Sequence, residues 1–261
     1  FGHGSAKGTG SERVVVRSGR KKPNPWDWDR IYIRSLSRSV LEHCVIKHSN
    51  YGVSVENGSA LLQSVTFANN SLHALVVRNS DVTVRYSTLQ KGHVCALFCR
   101  EGSNVVAESL IVKDNITGIV CGDKASLSLT KGSITRNTNG LAVTENAAVS
   151  IVEADITGNV NGLVTQQKIP KKLAEMIYDN SEDITVVSDE EMEKILKPPE
   201  QISAWVPKDA LKDGQVARDE VPVRVGPSEV FAHFATLKKG APVEVLRVKH
   251  DKWAKVQAAF D

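Results

Sequence analysis

Three carboxylates recur at a fixed interval. Glu101, Asp123 and Glu145 stand 22 residues apart, with Asn57 and Asn79 before them and Gln167 after them at the same spacing. One place upstream runs a second series, Glu56, Arg78 and Arg100. Carboxylates held side by side can ligate a hard cation such as Ca²⁺ through oxygen. Two of them can also divide the roles of general acid and general base across a bond to be cleaved. Each use sets the same condition: residues 22 apart in sequence must lie next to one another in space and face one way.

The chain between residues 31 and 168 meets that condition on its own terms. Gly52, Ala74, Ala96, Gly118, Gly140 and Gly162 form a column of small residues at the 22-residue period. The next position reads Ile31, Val53, Leu75, Leu97, Ile119, Leu141 and Leu163, apolar throughout. Two places further come Ile33, Val55, Val77, Cys99, Cys121 and Val143, with Thr165 the exception. A spacing of two is the strand period, so both columns point to one face and the residue between them points away. Ser49, Ser71, His93, Asn115, Asn137 and Asn159 form a polar column suited to a turn, since Asn tolerates left-handed backbone and bonds locally.

These columns describe an all-β fold: a right-handed parallel β-helix of about seven coils, each turn of chain stacked on the last. One 22-residue unit is too short to bury a face alone, and stacking gives every strand a partner above and below. A leucine-rich repeat would need a Leu-x-x-Leu-x-Leu core, which is absent. The apolar residue entering each corner reads Val45, Phe67, Leu89 and Ile111, then Ile134 and Ile156 one place late. A bulge or re-set is therefore expected near Val112 to Ile134.

Residues 8–168 also resemble bacterial surface and secreted proteins with right-handed β-helix repeats. The resemblance rests on Gly8-Thr9, Val14-Val15-Val16, a Pro-containing loop to Trp26-Asp27-Trp28-Asp29, and Ser39 to Cys44. It implies further coils upstream, so that residue 1 is a cut end. Polysaccharide lyases, pectin-cleaving hydrolases and epimerases share this fold and draw carboxylates from neighbouring coils onto one outer face. Here the acids stand beside turn residues such as Gly58 and Gly102, where solvated charges are the simpler expectation and ligand contact the sharper one. An Asp pair of hydrolase type is missing from the series, so the enzyme reading leans to no.

No cofactor or metal is expected, because His43, His48, His73 and His93 fall in four different columns. Cys99 and Cys121 share an inward column one coil apart, a separation that permits a disulfide, but parallel stacking aims both side chains alike and favours buried free thiols. Cys44 and Cys95 have no evident partners.

Residues 169–200 leave the pattern and read as a helical cap or linker. Lys171 to Asn180 place Leu173, Met176 and Ile177 on one helical face. Ser188 to Glu191 form a capping box before Met192, Ile195 and Leu196, with Pro198 and Pro199 as the stop. The expected role is a lid on the open end of the coil, with a regulatory element as the alternative.

Residues 201–261 resemble bacterial SH3-like domains through Val221 to Ser228, Leu237 to Gly240, Pro242 to Leu246 and Lys252 to Val256. The family's closing Gly-Trp-Val strand is lacking before Asp261. A similar stretch, Ala204 to Leu211, stands in front instead, so either the barrel closes from its N-terminal side or the chain is cut here too. Trp253 is expected in the core and Trp205 in a more open, binding position. Trp26 and Trp28 are expected to pack, with sugar stacking as the alternative.

A net charge of +3 on 261 residues is too weak and too spread for a nucleic-acid binder. No apolar run is long enough to span a membrane. The expected function is a non-catalytic bacterial binding or scaffold protein, placed in the cell envelope (periplasm or surface) or secreted. Its partner would be a cell-wall glycan, a peptide or an envelope protein. The alternatives are a polysaccharide-degrading enzyme and a subunit of a larger envelope assembly. The binding candidates are Trp26, Glu56, Arg78, Arg100, Glu101, Asp123, Glu145 and Trp205.

Overall fold

A computed structural model describes residues 4–92, 94–196, 202–224, 226–229, 231, 233–249 and 251–258. His93, Pro198, Pro199, Val225 and Asp261, each invoked above, lie outside them.

The repeat is a right-handed parallel coil of about seven turns. Its longest-running face is a sheet of β1 (Ile31–Ile33), β2 (Val53–Glu56), β3 (His73–Arg78), β4 (Cys95–Arg100), β5 (Thr117–Cys121), β6 (Asn139–Val143), β7 (Asn161–Thr165) and β8 (Glu182–Val186). Every neighbouring pair is parallel, and Ile31, Val53, Leu75, Leu97, Ile119, Leu141 and Leu163 lie in one file, continued by Ile184. From Val53 to Leu163 this file is fully buried. The second file runs from Ile33 to Thr165 beside it, and Thr165, apart from its hydroxyl, differs little in shape from a valine there. The small column marks a place where pairing skips a residue: His73 opposes Cys95 and Leu75 opposes Leu97, passing over Ala74 and Ala96. A Cβ on Gly140 would come within 2.6 Å of the Gly162 carbonyl oxygen, which explains glycine there.

The other two faces belong to an 11-stranded sheet. Their strands, such as Ser59–Gln63 and Thr66–Ala68, are separate in early coils and fuse into Asn104–Lys113, Ser126–Thr135 and Ala148–Thr157 later. Between them each coil bends at a left-handed residue: His43, Ser64, Tyr86, Ser109, Lys131 and Glu153.

Two expectations about these faces are corrected. The inward corner file is Ile46, Phe67, Leu89, Val112, Ile134 and Ile156, not Val45 or Ile111. Ile111 is 41% exposed. The re-set lies one coil earlier than expected. Arg78 opposes Arg100 at a spacing of 22, whereas Asp81 opposes Asn104 at 23, so the extra residue sits in the turn Glu101 to Ser103. From Val112 to Ile156 the spacing is regular.

The polar column is a hydrogen-bonded ladder. Asn137 Oδ1 accepts from the Asn115 backbone N–H and Nδ2, both at 3.0 Å, and Asn159 and Asn180 repeat the pattern below. Upstream, the rungs are Asn70, rather than Ser71, and the Gly92 N–H. Each rung follows a left-handed residue, among them His48, Asn69, Lys91, Asp114, Arg136 and Gly158, so the buried amides satisfy a corner that right-handed backbone could not turn.

The end of the coil also differs from expectation. Helix α1 covers only Lys171–Ala174, and Leu173 and Ile177 fold under the interior. The chain then adds strand β8 to the long sheet. The capping box holds as expected: Ser188 N–H donates to Glu191 Oε2 at 2.9 Å, opening α2 (Asp189–Leu196). Yet α2 does not lie over the end. Met192 packs on the outside of the long sheet, against the outward file Val76, Phe98, Val120, Ala142 and Val164. That file is buried too, so this face of the coil is not a free surface.

The C-terminal region is a five-stranded antiparallel sheet. It comprises β9 (Ile202–Pro207), β10 (Val221–Arg224), β11 (His233–Leu237), β12 (Glu244–Lys249) and β13 (Trp253–Ala258) in the order β11-β10-β9-β13-β12. The early strand β9 lies in the middle of the sheet. Its core is Ala204, Val206, Val221, Val223, Leu237, Ala254 and Val256. The tryptophan expectations are reversed: Trp205, on central strand β9 with a paired strand on each side, is 1% exposed, and Trp253 is half-buried. Among the described residues no helix is long and apolar enough to cross a membrane.

Candidate functional site

The candidate charges lie along one corner of the coil. Glu56, Arg78 and Arg100 are the last residues of β2, β3 and β4 and sit directly opposite one another. The turn residues that follow, Asn57, Asn79, Glu101 and Asp123, all have positive φ, between 43° and 57°. In this conformation Asn79, Glu101 and Asp123 each reach back to the coil before. Arg78 Nη1 lies 3.5 Å from Glu101 Oε1, Arg100 Nε bonds Asp123 Oδ2, and Tyr32 donates to Glu56 Oε2 at 2.8 Å. Asn79 Nδ2 donates to Asn57 Oδ1 at 2.7 Å. The sequence series is thus a strip of pairs, each joining adjacent coils.

Aromatic stacking helps hold this strip. The Arg30 guanidinium lies 4.0 Å from the Tyr51 ring centre, Tyr51 meets His73, His73 stacks on Phe98 at 4.8 Å, and Arg100 lies over Phe98. His73 is buried, and loss of hydration pulls its imidazole down to about 3, so it is neutral here.

Farther along, Asp123 and Glu145 meet residues that sequence reasoning had used only as a helix cap. A cleft of about 510 Å³ is lined by Asp123, Thr144, Glu145 and Gln166 from the corner and by Asp189 and Glu190 from α2. Gln166 Nε2 donates to Asp189 Oδ1 at 2.6 Å and ties the helix start to the corner. Gln167, the expected end of the ladder, instead turns its amide to the Thr144 and Ala147 carbonyls. The signal for this cleft was present in the outward apolar file, which required a cover, and in the acidic first turn of the apolar helix that provides it.

Residues 29–171 match the family model of the right-handed β-helix region, more than half of the 261-residue chain. The chain belongs to that family. It includes polysaccharide-degrading enzymes and proteins that are not enzymes. No curated protein and no solved structure matches the chain.

The remaining candidates of this β-helix protein are scattered. Trp26 is exposed in the loop before β1, and Trp28 packs against the interior while its Nε1 donates to the Lys47 carbonyl at 3.0 Å. Neither lines the cleft. In the same loop Ser18 donates to Asp27, and Arg20 pairs with it at 3.0 Å. The Ser18 bond, assisted by the Asn24 N–H and the Arg20 charge, keeps the Asp27 carboxyl below its ordinary range. Ser18 spends its hydroxyl on the aspartate and not on His48, so the order required for a Ser-His-Asp nucleophile is not met. Asp27 here staples the loop shut.

All four cysteines are free and buried. Burial pushes Cys121 up to about 12 and raises Cys95 and Cys99 as well, so they are inert thiols. Among the described residues no group of three His, Cys, Asp or Glu side chains is placed to hold a metal ion.

Proposed function

We propose that this β-helix protein is a non-catalytic binding or scaffold protein of a bacterial cell envelope or its secreted fraction. The coil acts as a rigid display element, and residues 201–261 act as an SH3-like unit that holds a peptide or cell-wall glycan. One observation carries the non-catalytic part: Glu101 and Asp123, the best candidates for acid and base, are each engaged by an arginine one coil away. Carboxylates paired with arginines in left-handed turns serve as corners of the coil. The SH3-like reading is supported by β9, which pairs with both β10 and β13 and so takes the place of a closing strand from the N-terminal side. Resemblance alone supports the envelope placement. Retention on a peptidoglycan pull-down or a glycan array is the expected result, and the absence of any retention would overturn the glycan version.

A second reading is favoured by the cleft, where Asp123, Glu145, Asp189 and Glu190 gather beside Thr144 and Gln166. A polysaccharide-cleaving enzyme would use such a set. Unsaturated or reducing-end products from uronate polymers, with and without Ca²⁺, would support it, with loss in Glu145→Gln. No product from the whole panel removes it.

A further inference from the structure

The five-stranded sheet has two faces of opposite character. One carries the apolar core. On the other, the register sets four residues side by side across neighbouring strands: Arg224 opposite Trp205, Trp205 opposite Lys255, and Lys255 opposite Arg247. Directly opposite residues in an antiparallel pair share a face and lie about 5 Å apart at Cβ. Three cations therefore flank one tryptophan in a single row.

Like charges placed this closely repel and would normally be interleaved with acids. Here none of the three is in an ion pair with a carboxylate among the described residues. The Arg224 guanidinium is held by the Phe231 and Glu229 carbonyls through Nη1, at 2.8 and 3.2 Å, and its Nε is buried without an acceptor among the described residues. Trp205 Nε1 is likewise a buried donor with no acceptor among the described residues, on a side chain that is 1% exposed. Arg247 lies over the Trp205 ring at 5.9 Å and reaches solvent, which leaves the row open at that end. A buried donor left unmade is costly, and two of them sit on paired residues in a field of uncompensated positive charge. A single kind of group answers both deficits: an acceptor that carries negative charge.

We propose that Trp205, Arg224, Arg247 and Lys255 form a binding site for an oxyanion, either a carboxylate or a phosphate group, on the face of the C-terminal sheet opposite its core and entered from the Arg247 end. The oxyanion accepts from Trp205 Nε1 and is flanked by Lys255 and Arg224, with Arg247 at the entrance. The site goes beyond the scaffold reading and does not depend on it, since it stands on strand register and unmade bonds alone.

The test uses the full chain, titrated separately with inorganic phosphate and with acetate at an ionic strength fixed by sodium chloride. The expected result is a saturable rise in Tm and a saturable change in tryptophan fluorescence beyond the chloride control, the fluorescence change being lost in Trp205→Phe. Response to phosphate alone assigns a phosphate-type ligand, and response to acetate alone a carboxylate; either supports the site. Lys255→Met should weaken the response about tenfold or more, as expected for loss of a charge-assisted bond. In anion-free buffer it should melt no lower than the parent, because it removes an uncompensated charge. Arg247→Gln, at an exposed side chain the fold tolerates, should also weaken binding. The proposal is overturned if the parent shows no saturable response to either anion, or if both charge variants respond with parental affinity.

Discussion

The coil and the C-terminal sheet solve the same problem with opposite economies of information. In the coil, one residue type at one position is repeated, so Ile119 rests on Leu97 and carries Leu141 in a single file. Polar residues obey the same rule, and the Asn115, Asn137 and Asn159 amides bond to one another down a corner. The C-terminal sheet repeats nothing. Its core is mostly Val and Ala, such as Ala204, Val223 and Val256, but at positions that no fixed interval relates, and each strand meets its partners once. Stacking identical rungs makes every position answerable to two neighbours, whereas the antiparallel sheet makes each pair a separate decision. The coil is therefore legible by column, and the sheet is not.

That contrast can be broken by mutation. Ile119→Ala should cost about 4 kcal/mol in urea unfolding, since it opens a cavity in a file that cannot collapse around it. Val223→Ala in the sheet should cost about 2 kcal/mol, because fewer methyl groups are lost from a smaller core. Equal costs would show that the file does not behave as a common interior.

Asn137→Ala comes next, at about 3 kcal/mol. It removes the acceptor of the buried Asn115 N–H and a donor to the Val112 and Thr135 carbonyls. Asn137→Asp should be nearly as damaging at neutral pH, because a carboxylate keeps the acceptor and loses the donors. A cost below about 1 kcal/mol for both would mean that the corner is satisfied by other means.

His73 sharpens the comparison through pH. Its folded value of about 3 lies below the ordinary 6.5, so the unfolded chain takes up a proton that the folded chain refuses. Stability contributed this way is present above about pH 6.5 and is lost as pH falls toward 3, by at most about 1.4 kcal/mol per unit. His73→Leu should flatten that slope in denaturation midpoints measured across the range. An unchanged slope would place the acid sensitivity elsewhere.

The smallest effect belongs to the charged strip. A double-mutant cycle on Arg100 and Asp123 should give less than about 1 kcal/mol of coupling, reduced further by salt, since both groups are partly exposed. Larger coupling would reopen the case for a functional electrostatic role at this corner.

Much of the coil could be read before any coordinates. The two inward columns, the small column and the capping box at Ser188 each depend on contacts fixed by short spacing or by exact repetition. The errors have one source. Ile111 and Ser71 fit a period of 22 on paper, but turns that gain or lose one residue move the true positions to Val112 and Asn70. A slip of one residue reverses the face without leaving a mark in composition. Of the candidate residues, the shared corner of Arg78 and Glu101 followed from the repeat, while their pairing and the cleft did not, because α2 brings Asp189 to the cleft that Glu145 lines.

By itself the sequence determined that residues 31–168 must stack, since seven apolar residues at one interval can bury themselves only against their own repeats. It also determined the capping of α2, a bond across three residues. Only the tertiary structure decided where that helix lies, that the outward file from Val76 to Val164 is covered, and that Trp205 is enclosed among cations. Those outcomes join residues that no period relates, and nothing local in the chain specifies which distant surface an apolar face will meet.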